Sequence, residues 1–275
     1  MTSSQTSPFR PDLLAGQVAL VTGGGTGIGA GIARALAEHG SDIVLASRKR
    51  AHLEPMEAEI RRLGREVLVC EMDVRDRAAC DRTVSEALDG LGRIDLLVNN
   101  AAGNFLVRAA TLSEKGWRAV VDIVLNGTFN MSQAVHSVMR DAGGGSIVNI
   151  TTTYVTTGAP LMAHSGAAKA GVLNLTRTLA VEWGADGIRV NAVAPGLVEG
   201  TEGARRLAES IGYAEAYRKQ VPLGRLVHTD DVAAAVLFLA SPAASHVTGV
   251  EVTVDGGAGL GGHFKQVAEA FDTLS

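Results

Sequence analysis

Cysteine is nearly missing from this 275-residue chain: only Cys70 and Cys80 occur, ten apart and without a matching cluster of histidine or cysteine. That excludes a disulfide framework and a zinc site, and leaves two reduced thiols for packing. Positive charge is not in excess either. With 25 basic against 29 acidic residues the net charge is −4, which argues against the clustered basic surface that nucleic acid requires. No window is long and apolar enough to span a bilayer, and the opening MTSSQTSPFRPDLLAG has no apolar core of signal-peptide length. The closing FDTLS matches no lipidation or peroxisomal address, so the cytoplasm is the expected location. Aromatics make up 4% of the chain, with 3 tyrosines, so few phenols are available for proton chemistry.

What is present is apolar and patterned. At 46% apolar residues the chain can bury a large core and reads as one α/β domain. Runs of strand length (QVALVTG, DIVLAS, EVLVCEMD, DLLVNNA, SIVNITTT, IRVNAVAPG, VEVTVDGG) alternate with amphipathic segments at 28–38, 52–63, 78–88, 115–139 and 163–183. Fully apolar strands separated by helices predict a single-domain Rossmann fold, a doubly wound parallel seven-stranded sheet with helices on both faces. The expected domain covers 16–257, with an N-terminal arm at 1–15 and a tail at 258–275. Ligands of such sheets bind at the carboxyl ends of the strands, which gathers 23–29, 47–49, 73, 99–104, 151–154 and 195–198 on one rim.

TGGGTGIG follows the first strand and opens a helix. Glycine permits the tight turn and close approach to a pyrophosphate, and helix N-terminal amides stabilise its charge. Gly23, Thr26, Gly27, Ile28 and Gly29 are therefore candidate cofactor residues, although a plain strand-to-helix turn has the same glycines. About twenty residues on, where a carboxylate would hold an unmodified ribose, stand Ser47, Arg48 and Lys49, and their cations favour the phosphorylated ribose of NADP(H). Asp73 either contacts the adenine amine or caps the next helix.

TGGGTGIG, NNAAG, VNITTT, the lysine of AAKAG and RVNAVAPG, in that order, resemble the short-chain dehydrogenase/reductase superfamily across residues 16 to 257. The resemblance implies that Val74, Asn100, Ala101, Pro195, Gly196 and Val198 complete the cofactor site and that Lys169 holds the nicotinamide ribose. It also implies a homotetramer built on the helices at 115–139 and 163–183, whose apolar residues lie on more than one face. Three positions depart from the usual pattern. Ser165 replaces the tyrosine four residues before the lysine, Thr152 replaces the serine after the fifth strand, and Val124 replaces the asparagine of the preceding helix.

NNAAGNF, DIVLNGT, ITTTYVTTG and SGAAKAG are similar to the 2,4-dienoyl-CoA reductases of this superfamily, and HSGAAKAGVLNLT and SPAASHVTG to the peroxisomal trans-2-enoyl-CoA reductases. Both reduce carbon–carbon double bonds of acyl-CoA thioesters with NADPH. In the dienoyl branch the functional tyrosine lies fifteen residues before the lysine, the place of Tyr154, and acts with the asparagine closing NNAAGN, here Asn104. Conjugate reduction explains the move. Hydride adds far down the chain while charge gathers on the remote thioester oxygen, which needs donors of its own. Ser165 can donate a hydrogen bond but is a poor net proton source.

For the coenzyme A moiety the resemblance offers Arg75 and Arg206, with Phe105 and Ser113 along the pantetheine path and 200–220 as a substrate lid. Asn126 is left unassigned. Besides a dienoyl-CoA reductase, three readings stay open: a 2-enoyl-CoA reductase, a ketone or alcohol oxidoreductase with a re-sited tyrosine, and a non-catalytic NADP-binding module.

Overall fold

The computed structural model describes residues 7–209 and 212–260. Seven strands form one parallel sheet: β1 (Val18–Thr22), β2 (Asp42–Ser47), β3 (Val67–Glu71), β4 (Leu96–Asn99), β5 (Gly145–Ile150), β6 (Ile188–Pro195) and β7 (Glu251–Val254), ordered β3-β2-β1-β4-β5-β6-β7. The order reverses between β1 and β4, which pair in parallel through Ala19↔Leu96 and Leu20↔Leu97. Their loops leave toward opposite faces, and the crevice between them is where such sheets take ligands.

Apolar strands require covering on both sides, and both sides are covered. On one face, α1 (Gly27–Glu38), α2 (Glu54–Arg62) and α9 (Thr229–Ala240) bury Ile32, Leu36, Ile60 and Val236 against Val21, Leu45 and Val193. On the other, α3 (Arg77–Leu91), α5 (Gly127–Asp141) and α6 (Ala163–Glu182) bury Val84, Met131, Val135 and Leu179 against Leu20, Leu97 and Val190. Each such aliphatic side chain stabilises the fold by roughly 1.5–3 kcal/mol. Local signals set the ends: the Asp76 carboxylate accepts from Ala79 N at 3.2 Å to start α3, and Gly92, at φ +79°, ends it. Both cysteines are buried, and burial pushes Cys70 up to about 12 and Cys80 to about 11.

The single helix expected over 115–139 is instead α4 (Glu114–Val121), a π turn (Asp122–Asn126) and α5. Two contacts account for the wider turn. Gly127 packs so closely on the third-strand loop that an added Cβ would lie 2.5 Å from Val74 Cγ2, and the Thr128 hydroxyl donates to the Val124 carbonyl at 2.7 Å. Leu14, from the expected N-terminal arm, is 1% exposed and belongs to the core. The short helices α7 (Glu202–Leu207) and α8 (Ala214–Gln220) occupy the expected lid, whose residues 210 and 211 lie outside the described residues, as do 1–6 and 261–275 of the expected arm and tail. Among the described residues no helix is long and apolar enough to cross a membrane, and no group of acidic, histidine and cysteine side chains could hold a metal ion.

Candidate active site

The glycine turn is shaped by exclusion. Gly23 and Gly27 adopt φ of +65° and +53°, and a Cβ on Gly29 would lie 2.2 Å from Gly23 O and 2.5 Å from Asn100 Nδ2. At the head of α1, Thr26 occupies the N-cap without a side-chain bond, and no acidic residue enters the first turn. The leading amides are thus left for an anion. Asn100 builds the cradle from beneath, its Nδ2 donating to Thr22 O at 3.0 Å and Gly23 O at 3.2 Å, so its carboxamide is spent on backbone. Ile28 follows in the first turn of the helix.

One cleft is lined by Gly23, Ser47, Arg48, Asp73, Val74 and Ala101, together with Ala46, Met72, Ala102 and Ile123. It opens beside a recess of about 290 Å³ bounded by Arg48, Glu71, Asp76 and Arg82. Arg48 faces both spaces, and Arg82 is a second cation there that the sequence reading missed, because its place inside α3 gives no sign of it. Lys49 is exposed, and the Ser47 hydroxyl donates to the Lys49 carbonyl at 3.2 Å. Asp73 is gripped by the fork of Arg75, with Nε and Nη2 donating at 3.0 and 2.5 Å, and that guanidinium holds the carboxyl below the usual carboxylate range. Arg75 is therefore committed to Asp73 at the wall of the cleft.

At the end of β6, Pro195 closes the strand, and Gly196 donates its N–H to Val254 O at 2.9 Å. A Cβ on Gly196 would meet Asp255 at 3.0 Å and the Tyr217 hydroxyl at 3.2 Å. Val198 is buried and bridges to Val227.

Three of the side chains expected to be catalytic, Tyr154, Ser165 and Lys169, lie at the end of β5 and the start of α6. Lys169 is buried, and its ammonium donates to the Ile150 carbonyl at the end of β5. Burial lowers it from 10.5 to about 8. One helical turn earlier stands Ser165, 3% exposed, and its Oγ is 3.0 Å from the Tyr154 hydroxyl. Tyr154 comes from a 3₁₀ turn (Thr153–Val155) that begins after Thr152. The phenol missing from position 165 is thus delivered to that position from the loop. Val124, in the family's asparagine position, is 1% exposed and packs in an apolar cluster with Val120, Ala168 and Val172, so it offers no polar link to the lysine. Asn126 bonds Asp122 at 2.9 Å within the π turn.

Asn104 lies on the loop after β4. Its Oδ1 accepts from Phe105 N at 2.8 Å, and its Nδ2 donates to the Met162 sulfur at 3.0 Å. Phe105, 38% exposed, sets its ring at 89° to that of His164, with centroids 4.5 Å apart. Ser113 serves as the N-cap of α4, accepting from Gly116 N at 3.1 Å, and a Cβ on Gly116 would be 3.1 Å from Phe105 Cζ. Arg206 lies apart, in α7, with Nε on Glu202 at 2.5 Å. Tyr154 and Ser165 therefore touch, with Lys169 one turn further along α6 and Asn104 against Met162 at the head of the same helix, while the two arginines expected at coenzyme A lie on other elements. Met162, the N-cap of α6, and His164, in its first turn, were not singled out by the sequence.

Comparison with known proteins agrees with this geometry. Residues 23–259 match the family model described as enoyl-(acyl carrier protein) reductase. A peroxisomal 2,4-dienoyl-CoA reductase of Danio rerio, named as (3E)-enoyl-CoA-producing, is 46% identical over 92% of this chain and 84% of its own. A probable 2,4-dienoyl-CoA reductase of Bacillus subtilis, named as (2E)-enoyl-CoA-producing, is 45% identical over 86% of this chain and 94% of its own. Among solved structures, a gluconate 5-dehydrogenase of Burkholderia cenocepacia in complex with NADP and tartrate superposes with a TM-score of 0.85 at 32% identity, covering 90% of this chain and 97% of that one. Cradle, buried lysine and matched length lead to one conclusion: the chain belongs to the short-chain dehydrogenase/reductase family.

Proposed function

We propose that the chain is an NADPH-dependent 2,4-dienoyl-CoA reductase. The observation that carries this reading is the Tyr154 hydroxyl at 3.0 Å from Ser165 Oγ, one turn from Lys169 and served from a loop. The named dienoyl-CoA reductases at 46% and 45% identity support it, as does the NADP complex of the superposed structure. The cradle residues fit such a cofactor: Gly23, Gly27 and Gly29 admit a pyrophosphate, and Arg48 stands where a ribose phosphate would lie. The cofactor's chemical contribution is a hydride.

Everything else falls to the chain. Asn104 and Tyr154 donate to the thioester oxygen, where negative charge accumulates as the dienolate forms, and removing one such donor costs about 3 kcal/mol. Lys169 places its cation near that charge and orients the ribose. Ser165 positions the phenol by hydrogen bonding. Protonation of the dienolate at its α carbon leaves a 3-enoyl thioester, whereas protonation at the γ carbon leaves a 2-enoyl thioester. With both donors at the thioester end, the α carbon is the nearer site, and we place the proton there, with water as its source.

The test is NADPH consumption with a dienoyl-CoA, an enoyl-CoA and a ketoacyl thioester. The dienoyl-CoA should be turned over fastest, and proton NMR of the product should show the 3-enoyl isomer. Preference for the enoyl-CoA would favour the second reading, a 2-enoyl-CoA reductase, for which Ser165 and the description of the matched family model speak. Silence with all three would leave only cofactor binding.

Two further features are proposals. Exposed Phe129 on α5 (42%) and Val181 on α6 (83%) support a homo-oligomer, as a tetramer, packed through these helices; light scattering checks it. For location we propose the cytoplasm, with relatives named as peroxisomal being the counter-indication; fractionation decides.

A further inference from the structure

The loop carrying Asn104 is tied to residues 161–164, which run into the first turn of α6. Val107 N donates to the Leu161 carbonyl at 3.1 Å, Asn104 Nδ2 reaches the Met162 sulfur at 3.0 Å, and the Phe105 ring meets His164 edge-on. Among the described residues Leu161 is the one non-glycine at positive φ, +67°, a conformation that a branched side chain resists and that persists only where the surroundings impose it. His164, fully buried, has an Nε2 with no hydrogen-bond partner. Strain and an unsatisfied polar atom at one junction mark it as held for a purpose other than stability.

The purpose is legible in the Asn104 amide. Its oxygen faces the Phe105 N–H, so its NH₂ faces Met162, and no flipped assignment satisfies both contacts. A thioether is a weak acceptor. It fixes the direction of the NH₂ without competing with an anionic oxygen. We propose that Met162 is a positioning residue of the reaction, aiming the Asn104 carboxamide in the resting enzyme and yielding it to the thioester oxygen as charge develops. This rests on the reading of Asn104 as a donor to that oxygen.

The test is a double-mutant cycle with Met162→Leu and Asn104→Ala, measured with dienoyl-CoA and NADPH. Met162→Leu should lower kcat by roughly fivefold or more and leave KM and NADPH affinity within about twofold. In the Asn104→Ala background the same change should add nothing, which effects of Met162 that bypass Asn104 could not produce. Met162→Gln, offering a stronger acceptor, should also lower kcat by holding the amide back. Equal losses in both backgrounds, an unchanged kcat in Met162→Leu, or full activity in Met162→Gln would overturn the proposal. A substrate-free readout separates its failure from that of the functional reading: in protein with ¹³C-methyl-labelled methionine, Asn104→Ala should shift the Met162 methyl resonance. If the wild type reduces no dienoyl-CoA yet that resonance moves, the contact stands and the substrate reading falls. An unmoved resonance removes the contact.

Discussion

The crevice between β1 and β4 and the mouth above β5 and α6 are built by opposite means. In the crevice the backbone shapes the cradle, and side chains matter by being absent: a Cβ on Gly29 would lie 2.2 Å from Gly23 O. In the mouth the expected chemistry lies in side chains, Tyr154 meeting Ser165 from one loop and Asn104 meeting Met162 from another. A backbone site tolerates almost no substitution but serves any dinucleotide enzyme. A side-chain site can be rearranged, and here the phenol has moved from the helix to Tyr154 while keeping its address beside Ser165.

That contrast can be broken in four places. The largest effect is expected from Gly29→Ala, which should weaken NADPH binding by at least about a hundredfold and destabilise the fold by roughly 1–3 kcal/mol; calorimetric titration and thermal melts measure both, and normal binding would show that the turn has room to relax. Next comes Tyr154→Phe, which should cut kcat at least tenfold, roughly, with NADPH affinity nearly intact. Unchanged turnover in steady-state assays would remove the phenol from the mechanism.

Arg48→Glu should reverse the preference for NADPH over NADH by placing a carboxylate where the ribose phosphate would lie. The ratio of kcat/KM values for the two cofactors reports it, and an unaltered ratio would assign the phosphate to Arg82 or Lys49. The smallest effect is a pH dependence. Lys169 titrates at about 8 against an ordinary 10.5, so its cation fades above pH 8, and kcat/KM should fall about fourfold between pH 7 and 8.5. Stability should run the other way. Between pH 8 and 10.5 the unfolded chain keeps a proton that the folded chain has lost, so this lysine's unfavourable contribution diminishes as pH rises. Lys169→Met should flatten both trends, and melts across that range would expose any contrary slope.

The same contrast explains what could be read from sequence. Strands such as VALVT and the turn TGGGTGIG announce themselves because burial on two faces and positive φ restrict residue choice locally. The place of Tyr154 beside the residues ahead of Lys169 followed from a family resemblance and a fifteen-residue spacing. Not legible were contacts made across the fold: Asn100 spent on the backbone of Thr22 and Gly23, and Met162 set against Asn104. Each depends on where two distant segments meet, and no local pattern encodes that. The π turn escaped for a related reason, since Gly127 lies against Val74 from another loop.

The seat beside Ser165 is already taken, and this restricts the enzyme's options for change. Replacing that serine by tyrosine would crowd two phenols into space that holds one, and Val124 would still seal the neighbouring position with hydrocarbon. A return to ordinary carbonyl reduction would require vacating the loop, refilling the helix and opening the apolar seat together. Any one of these steps alone should leave a poorer catalyst of either reaction.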